Sequence, residues 1–227
     1  MSISINEKTI VGNYYHIISR SIGKYRIFEN DRNKKRFVDM LLYYNHINPP
    51  IRFSLLSERS EIYQKQITDH IRKDKNNHLV DLVSYCIMPT HVHLLLKQKI
   101  DNGIPVYMSK ILNSYSRYFN TKFNRKGPLW SSRFKRKLVE DDNQLLHLTR
   151  YIHLNPSSVN LVLKPDDWVY SSYREYIGLI KLPNRICNFA GLIDLSHEEY
   201  KKFTEDRISY QKQLSIIKNT SNNNYSG

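Results

Sequence analysis

Few residues in this chain have types and spacing suited to chemistry. His91 and His93 flank one valine in "MPTHVHLLL", residues 88–96. In an extended segment side chains alternate between faces. The two imidazoles therefore point one way, while Val92, Leu94 and Leu96 point the other and can pack on a helix. Two imidazoles on one strand can grip a metal ion, but two ligands do not make a site. An ordinary polar strand face has the same pattern, and a third donor must come from elsewhere. The segment "DDNQLLHLTRYIHL" (141–154) carries Leu145, Leu148 and Ile152 at helical spacing, with Gln144, His147, Tyr151 and Asn155 on an adjoining stripe. Tyr151 and Asn155 are four apart, so a helix makes them neighbours. An amide oxygen is a hard donor that suits Mg²⁺ or Mn²⁺. A phenol with a pKa of about 10 is little ionised at neutral pH and attacks only when a metal or base activates it. Spacing alone does not single out Tyr151 from the 17 tyrosines of the chain.

Charge supplies a second constraint. Lys and Arg number 35 against 21 Asp and Glu, a formal charge of +14. Such a surplus favours an anionic partner, of which nucleic acid is the commonest. It is concentrated between residues 102 and 137, where no Asp or Glu occurs. Arg117, Lys122, Arg125, Lys126, Arg133, Lys135, Arg136 and Lys137 form a candidate DNA-binding set there, interleaved with Tyr115, Tyr118, Phe119, Phe123, Trp130 and Phe134. Basic groups neutralise phosphates and aromatic faces stack on unpaired bases. A solvated helix face with core aromatics would read the same way. No apolar run approaches the roughly 18 residues that span a bilayer. "MSISINEKTIVGNYY" lacks the basic and apolar regions of a secretory signal. Cys86 and Cys187 stand far apart and imply no disulfide framework. A cytoplasmic location is expected.

The elements that must position these residues follow from pattern. Residues 14–22 read as a strand and 30–47 as a helix with an Asn/Asp cap. Residues 79–88 and 91–97 read as a hairpin around "MPT", 106–123 as a helix, 133–140 as a strand, and 141–154 as a helix ended by "NP". The order strand, helix, strand, strand, helix, strand predicts an α+β, ferredoxin-like (split βαβ) antiparallel sheet, with helices on one face and one additional helix carrying Tyr151. Residues 49–78 look like an insertion containing a helix, "SEIYQKQITDHIRK", and cap the sheet in this reading. The tail "NTSNNNYSG" (219–227) is expected to be disordered.

Four segments, "YYHIISRSIGKYRIF", "YCIMPTHVHLLL", "SYSRYFNTKFNRKGPLWSSRFK" and "LTRYIHLNPSSVNLV", in this order resemble the REP-associated tyrosine transposases. "WVYSSYREYIG" (168–178) resembles the segment after their tyrosine helix. That group is related to the single-tyrosine insertion-sequence transposases, and both belong to the HUH endonuclease superfamily. The likeness spans residues 13–48 and 79–178, and His91-Val92-His93 matches the HUH motif. It implies one domain over 1–178 with a C-terminal extension over 179–227. It also implies a divalent metal, Mg²⁺ or Mn²⁺, held by His91, His93 and Asn155, with Tyr151 as the catalytic nucleophile on single-stranded or hairpin DNA from repeated palindromes. The resemblance implies nicking and strand transfer through a 5′-phosphotyrosine; the alternative is a non-catalytic, domesticated nucleic-acid-binding regulator. The insertion-sequence branch has glutamine where this chain has Asn155, one methylene shorter. Whether the protein acts as a monomer or a homodimer is left open by the motifs. His16, on the first strand, could face the same side as the histidine pair, though a structural role is expected. His147, one turn before Tyr151, could tune it, though it is expected to be simply exposed.

Overall fold

The computed structural model describes residues 8–223. The chain runs β1 (Tyr14–Arg20), α1 (Asp31–Tyr43), α2 (Phe53–Leu56), α3 (Glu61–Lys73), β2 (Val80–Ile87), β3 (His91–Gln98), α4 (Gly103–Lys122), β4 (Lys135–Leu138), α5 (Asp142–Ser158), α6 (Tyr173–Tyr176), α7 (His197–Glu205) and α8 (Ile208–Asn223). Helix starts carry the expected chemistry. Asn30 accepts from Asn33 N, Ser60 from Tyr63 N and Asp141 from Gln144 N, each satisfying a donor that the first turn leaves free. The strands form one antiparallel sheet in the order β2-β3-β1-β4. This is an α+β fold, with α2 and α3 inserted between the first helix and the second strand.

Strand alternation divides the sheet into two faces. Tyr15, Ile17, Val92, Leu94 and Leu96 meet Phe37, Met40 and Leu41 of α1 and Tyr107, Met108, Ile111 and Tyr115 of α4 in the main core. Val83, Cys86 and Leu95 meet Leu145 and Ile152 of α5 in a smaller cluster on the opposite face. A register shift between Leu82 and Ser84 interrupts β2. Such a bulge re-phases the alternation, which is why Leu82 and Tyr85, three residues apart, both lie in the main core. Residues 170–172 then line the edge of β2: Ile87 N donates to Tyr170 O and Ser172 N to Tyr85 O.

Several boundaries differ from the pattern. The helix expected over 30–47 stops at Tyr43, and the strand expected over 133–140 shortens to Lys135–Leu138. The larger correction concerns "NP". The helix does not end there but continues through Pro156 to Ser158. Pro156, Ser157 and Ser158 are buried, and the Ser157 and Ser158 hydroxyls donate to Leu154 O and Asn155 O. Burial and these added bonds outweigh the local preference against a helical residue before proline. The insertion packs on α1, with Ile71 in the main core. Helix α8 takes in the first residues of the expected disordered tail, 219–223; residues 224–227 lie outside the described residues. Among the described residues no helix is long and apolar enough to cross a membrane.

Candidate active site

The register of β1 against β3 builds the site. Arg20 pairs with His91, Ile18 with His93, and His16 with Leu95. Opposed residues of an antiparallel pair share a face, so His16, Arg20, His91 and His93 all lie on the face that α5 covers. His16 Nε2 is 3.0 Å from His93 Nδ1, and the rings stack at 5.2 Å. Thr90 Oγ1 is 2.9 Å from His91 Nδ1. The His91 and His93 rings meet edge-on at 5.0 Å. From α5, the Tyr151 ring stands edge-on to His93 at 5.7 Å and to His16 at 6.1 Å. Asn155 Nδ2 donates to the Tyr151 carbonyl at 2.8 Å, one turn back on the same helix.

Electrostatics keep the imidazoles neutral. Burial, with a smaller push from Lys137, lowers His16 to about 4. Burial and then Arg20 lower His91 to about 4. Burial, then His91, His16 and Arg20, depress His93 well below the ordinary range. Tyr151 is pushed up by burial, while Arg20 and the Asn155 amide pull it back. A neutral imidazole offers a lone pair. In both His91 and His93, Nδ1 is engaged and Nε2 is left over, the arrangement in which an outer partner fixes the tautomer of a metal-ligating ring. With the ring proton on Nδ1, each Nε2 carries the lone pair that a divalent cation would take. Asn155 keeps its Oδ1 for a further contact, since its bond to Tyr151 uses only the amide nitrogen.

The opposite side of α5 is held by a buried polar network. His153 Nδ1 is 2.7 Å from Tyr200 Oη on α7, and His153 Nε2 is 2.7 Å from Ser172 Oγ. Ser84 Oγ of β2 lies 3.3 Å from His153 Nε2, and Tyr200 Oη donates to Thr149 Oγ1. The C-terminal extension thus holds the tyrosine helix through a fully buried histidine.

The basic candidates divide. Lys135 and Lys137 oppose Ile18 and His16, so they share the histidine face; Arg136 opposes Ile17 and faces the other way. Arg117 and Lys122 belong to α4, across the sheet from His91 and His93. Lys122 Nζ bonds Asn33 Oδ1. Arg125 is spent on Asn120 Oδ1 and the carbonyls of Gly127 and Pro128. Lys126 and Arg133 are exposed. The basic residues of the acid-free stretch are thus divided between the two sides of the sheet.

Sequence pattern did not nominate Arg20, and it assigned His16 a structural part. The β1–β3 register brings both to this face; strand placement alone allowed this for His16 but did not decide it. His147 is exposed as expected, bonded to Arg150. A separate group lies elsewhere: among the described residues, His46, His70 and Asp74 are the three metal-type side chains whose ligand atoms all fall within 4.8 Å of one another.

A four-stranded antiparallel sheet that sets an imidazole cluster beneath a helix-borne tyrosine, with Arg20, Lys135 and Lys137 at hand, defines the class of fold and site. The family described as "Transposase IS200 like" matches residues 9–155, and the chain belongs to that family. A REP-associated tyrosine transposase of Haemophilus influenzae is 26% identical over 136 residues, covering 52% of this chain and 76% of that protein. A solved REP-associated tyrosine transposase bound to a REP hairpin superimposes with a TM-score of 0.53 at 13% identity, over 86% of this chain and 99% of that one. The likeness to the solved protein concerns the fold.

Proposed function

We propose that the protein is a metal-dependent enzyme that nicks single-stranded DNA and transfers the strand, with Tyr151 as nucleophile, on a ferredoxin-like scaffold. The observation that carries this reading is Tyr151 seated edge-on to His93 in a chain of the IS200-like family. His91 and His93 would hold the cation, Mg²⁺ or Mn²⁺, with Asn155 as third donor. When bound, the cation supplies polarisation of the scissile phosphate and charge stabilisation. The Tyr151 oxygen forms a bond to phosphorus and loses its proton, while the bond from phosphorus to the 3′ oxygen breaks and that oxygen leaves as a hydroxyl. The product is a phosphotyrosine on the 5′ side, which keeps its reactivity for resealing to another 3′ end. Arg20 positions the phosphate, and Lys135 and Lys137 carry the backbone towards it. The substrate class, hairpin DNA from repeated palindromes, is supported by the family resemblance and by the REP hairpin held by the solved relative.

The test is an adduct assay with hairpin oligonucleotides and Mn²⁺ or Mg²⁺. A covalent protein–DNA species that disappears in Tyr151→Phe supports the proposal. Free 5′ phosphate ends without an adduct would assign hydrolysis by water. Tight binding with no nicking across several hairpins would make the protein a regulator instead.

A further inference from the structure

A second donor group sits outside everything the tyrosine site uses. His70 and Asp74 are four residues apart at the end of α3, so they share one side of that helix. His46 arrives from the segment after α1. His46 Nε2 is 3.2 Å from Asp74 Oδ2, close to the roughly 3.3 Å between two ligands held at about 2.0–2.1 Å by one tetrahedral cation. The His46 and His70 rings lie 6.0 Å apart, and all three ligand atoms fall within 4.8 Å of one another. The group is remote from His91. His46 bridges to His78, and Val80 pairs with Gln98 at the far end of β3. The length of β3, on the order of 20 Å, therefore separates the two clusters.

We propose that His46, His70 and Asp74 form a second divalent-cation site, of the zinc class, that fastens the inserted helices to the end of α1. Two imidazoles and a carboxylate are a zinc donor set, and water completes the tetrahedron. The simpler alternative is that His46 and Asp74 are only hydrogen-bonded at a helix end. His70 separates the two: its imidazole is exposed and has no hydrogen-bond partner among the described residues, yet it converges on the pair. One local change is required. Asn48 N–H donates to His46 Nδ1 at 3.2 Å, which leaves the ring proton on Nε2, facing Asp74. Cation binding moves that proton to Nδ1, and the exposed Asn48 amide turns to water. Asp74 is already held as a carboxylate, because hydrogen bonds from Asn77 and then His46 lower its pKa.

This inference is independent of the proposed transesterification, and its test removes the other histidine pair. Full-length protein carrying His91→Ala and His93→Ala is stripped with chelator, then titrated with zinc by equilibrium dialysis and followed by thermal unfolding. One equivalent of zinc should bind and raise the melting temperature. Adding His70→Ala, which removes only an exposed side chain, should weaken binding about tenfold or more and abolish the thermal shift. Asp74→Asn should do the same. Zinc binding left unchanged by both substitutions, or no binding by the His91/His93 variant at micromolar zinc, would overturn the proposal.

Discussion

The two faces of this sheet are cut from the same strands and follow opposite rules. On one, Ile17, Val92, Leu94 and Leu96 are all 0% exposed and meet apolar and aromatic side chains from α1 and α4. On the other, the intervening residues His16, Arg20, His91 and His93 gather under α5. Burying an aliphatic side chain stabilises by about 1.5–3 kcal/mol. Burying an imidazole disfavours its charged form and makes the fold sensitive to acid. A large core on one face lets the other accumulate groups that favour chemistry over stability.

That division can be broken from either side. The largest expected effect is on activity alone: Tyr151→Phe should abolish the covalent adduct while the urea unfolding curve stays within about 0.5 kcal/mol of wild type. An equal loss of stability would mean that the tyrosine belongs to the core. Leu94→Ala, on the other face, should cost about 2–5 kcal/mol yet leave adduct formation per folded molecule unchanged. Denaturant titration beside the adduct assay separates the two effects.

Acid should act on the side of the sheet that α5 covers. His153 is lowered from 6.5 to about 3 by burial. Its folded pKa lies below its unfolded one, so as pH falls the unfolded chain takes up the proton first. The stability is fully present above 6.5 and is lost as pH falls towards about 3. Each such histidine contributes a slope of up to about 1.4 kcal/mol per pH unit in that window. His153→Gln should lower stability at neutral pH by about 1–3 kcal/mol and flatten the acid limb by one proton, read from urea midpoints in the presence of chelator. An unchanged acid limb would exclude His153 as a source of it. The smallest effect concerns the surface. Lys137→Ala should weaken hairpin binding and reduce its salt slope by about 1, whereas Arg117→Ala, across the sheet, should change neither. Equal losses would show that DNA wraps both faces.

The legible parts of the site were those with a period. Alternation set His91 and His93 on one face, and helical spacing set Tyr151 beside Asn155 with Leu145, Leu148 and Ile152 on the buried stripe. Pro156 misled, because its local preference was overridden by burial and by the Ser157 and Ser158 hydroxyls. The spacing of His70 and Asp74 was visible in the sequence, but a pair at helical spacing is common, and His46 joins it only through the packing of α3 on α1. The bonds of Lys122 to Asn33 and of Arg125 to Asn120 and to the Gly127 and Pro128 carbonyls had no signal in the sequence.

By itself the sequence determined which residues share an element and a face, because strand and helix periods are local properties of the backbone. It also carried the succession of strands and helices around the site and the segments shared with the IS200-like family. Only the tertiary structure decided that Arg20 and His16 stand beside the histidine pair, that α7 holds the tyrosine helix through His153, and that His46 meets His70 and Asp74. Those are matters of register and packing between distant segments, and no short-range pattern encodes them.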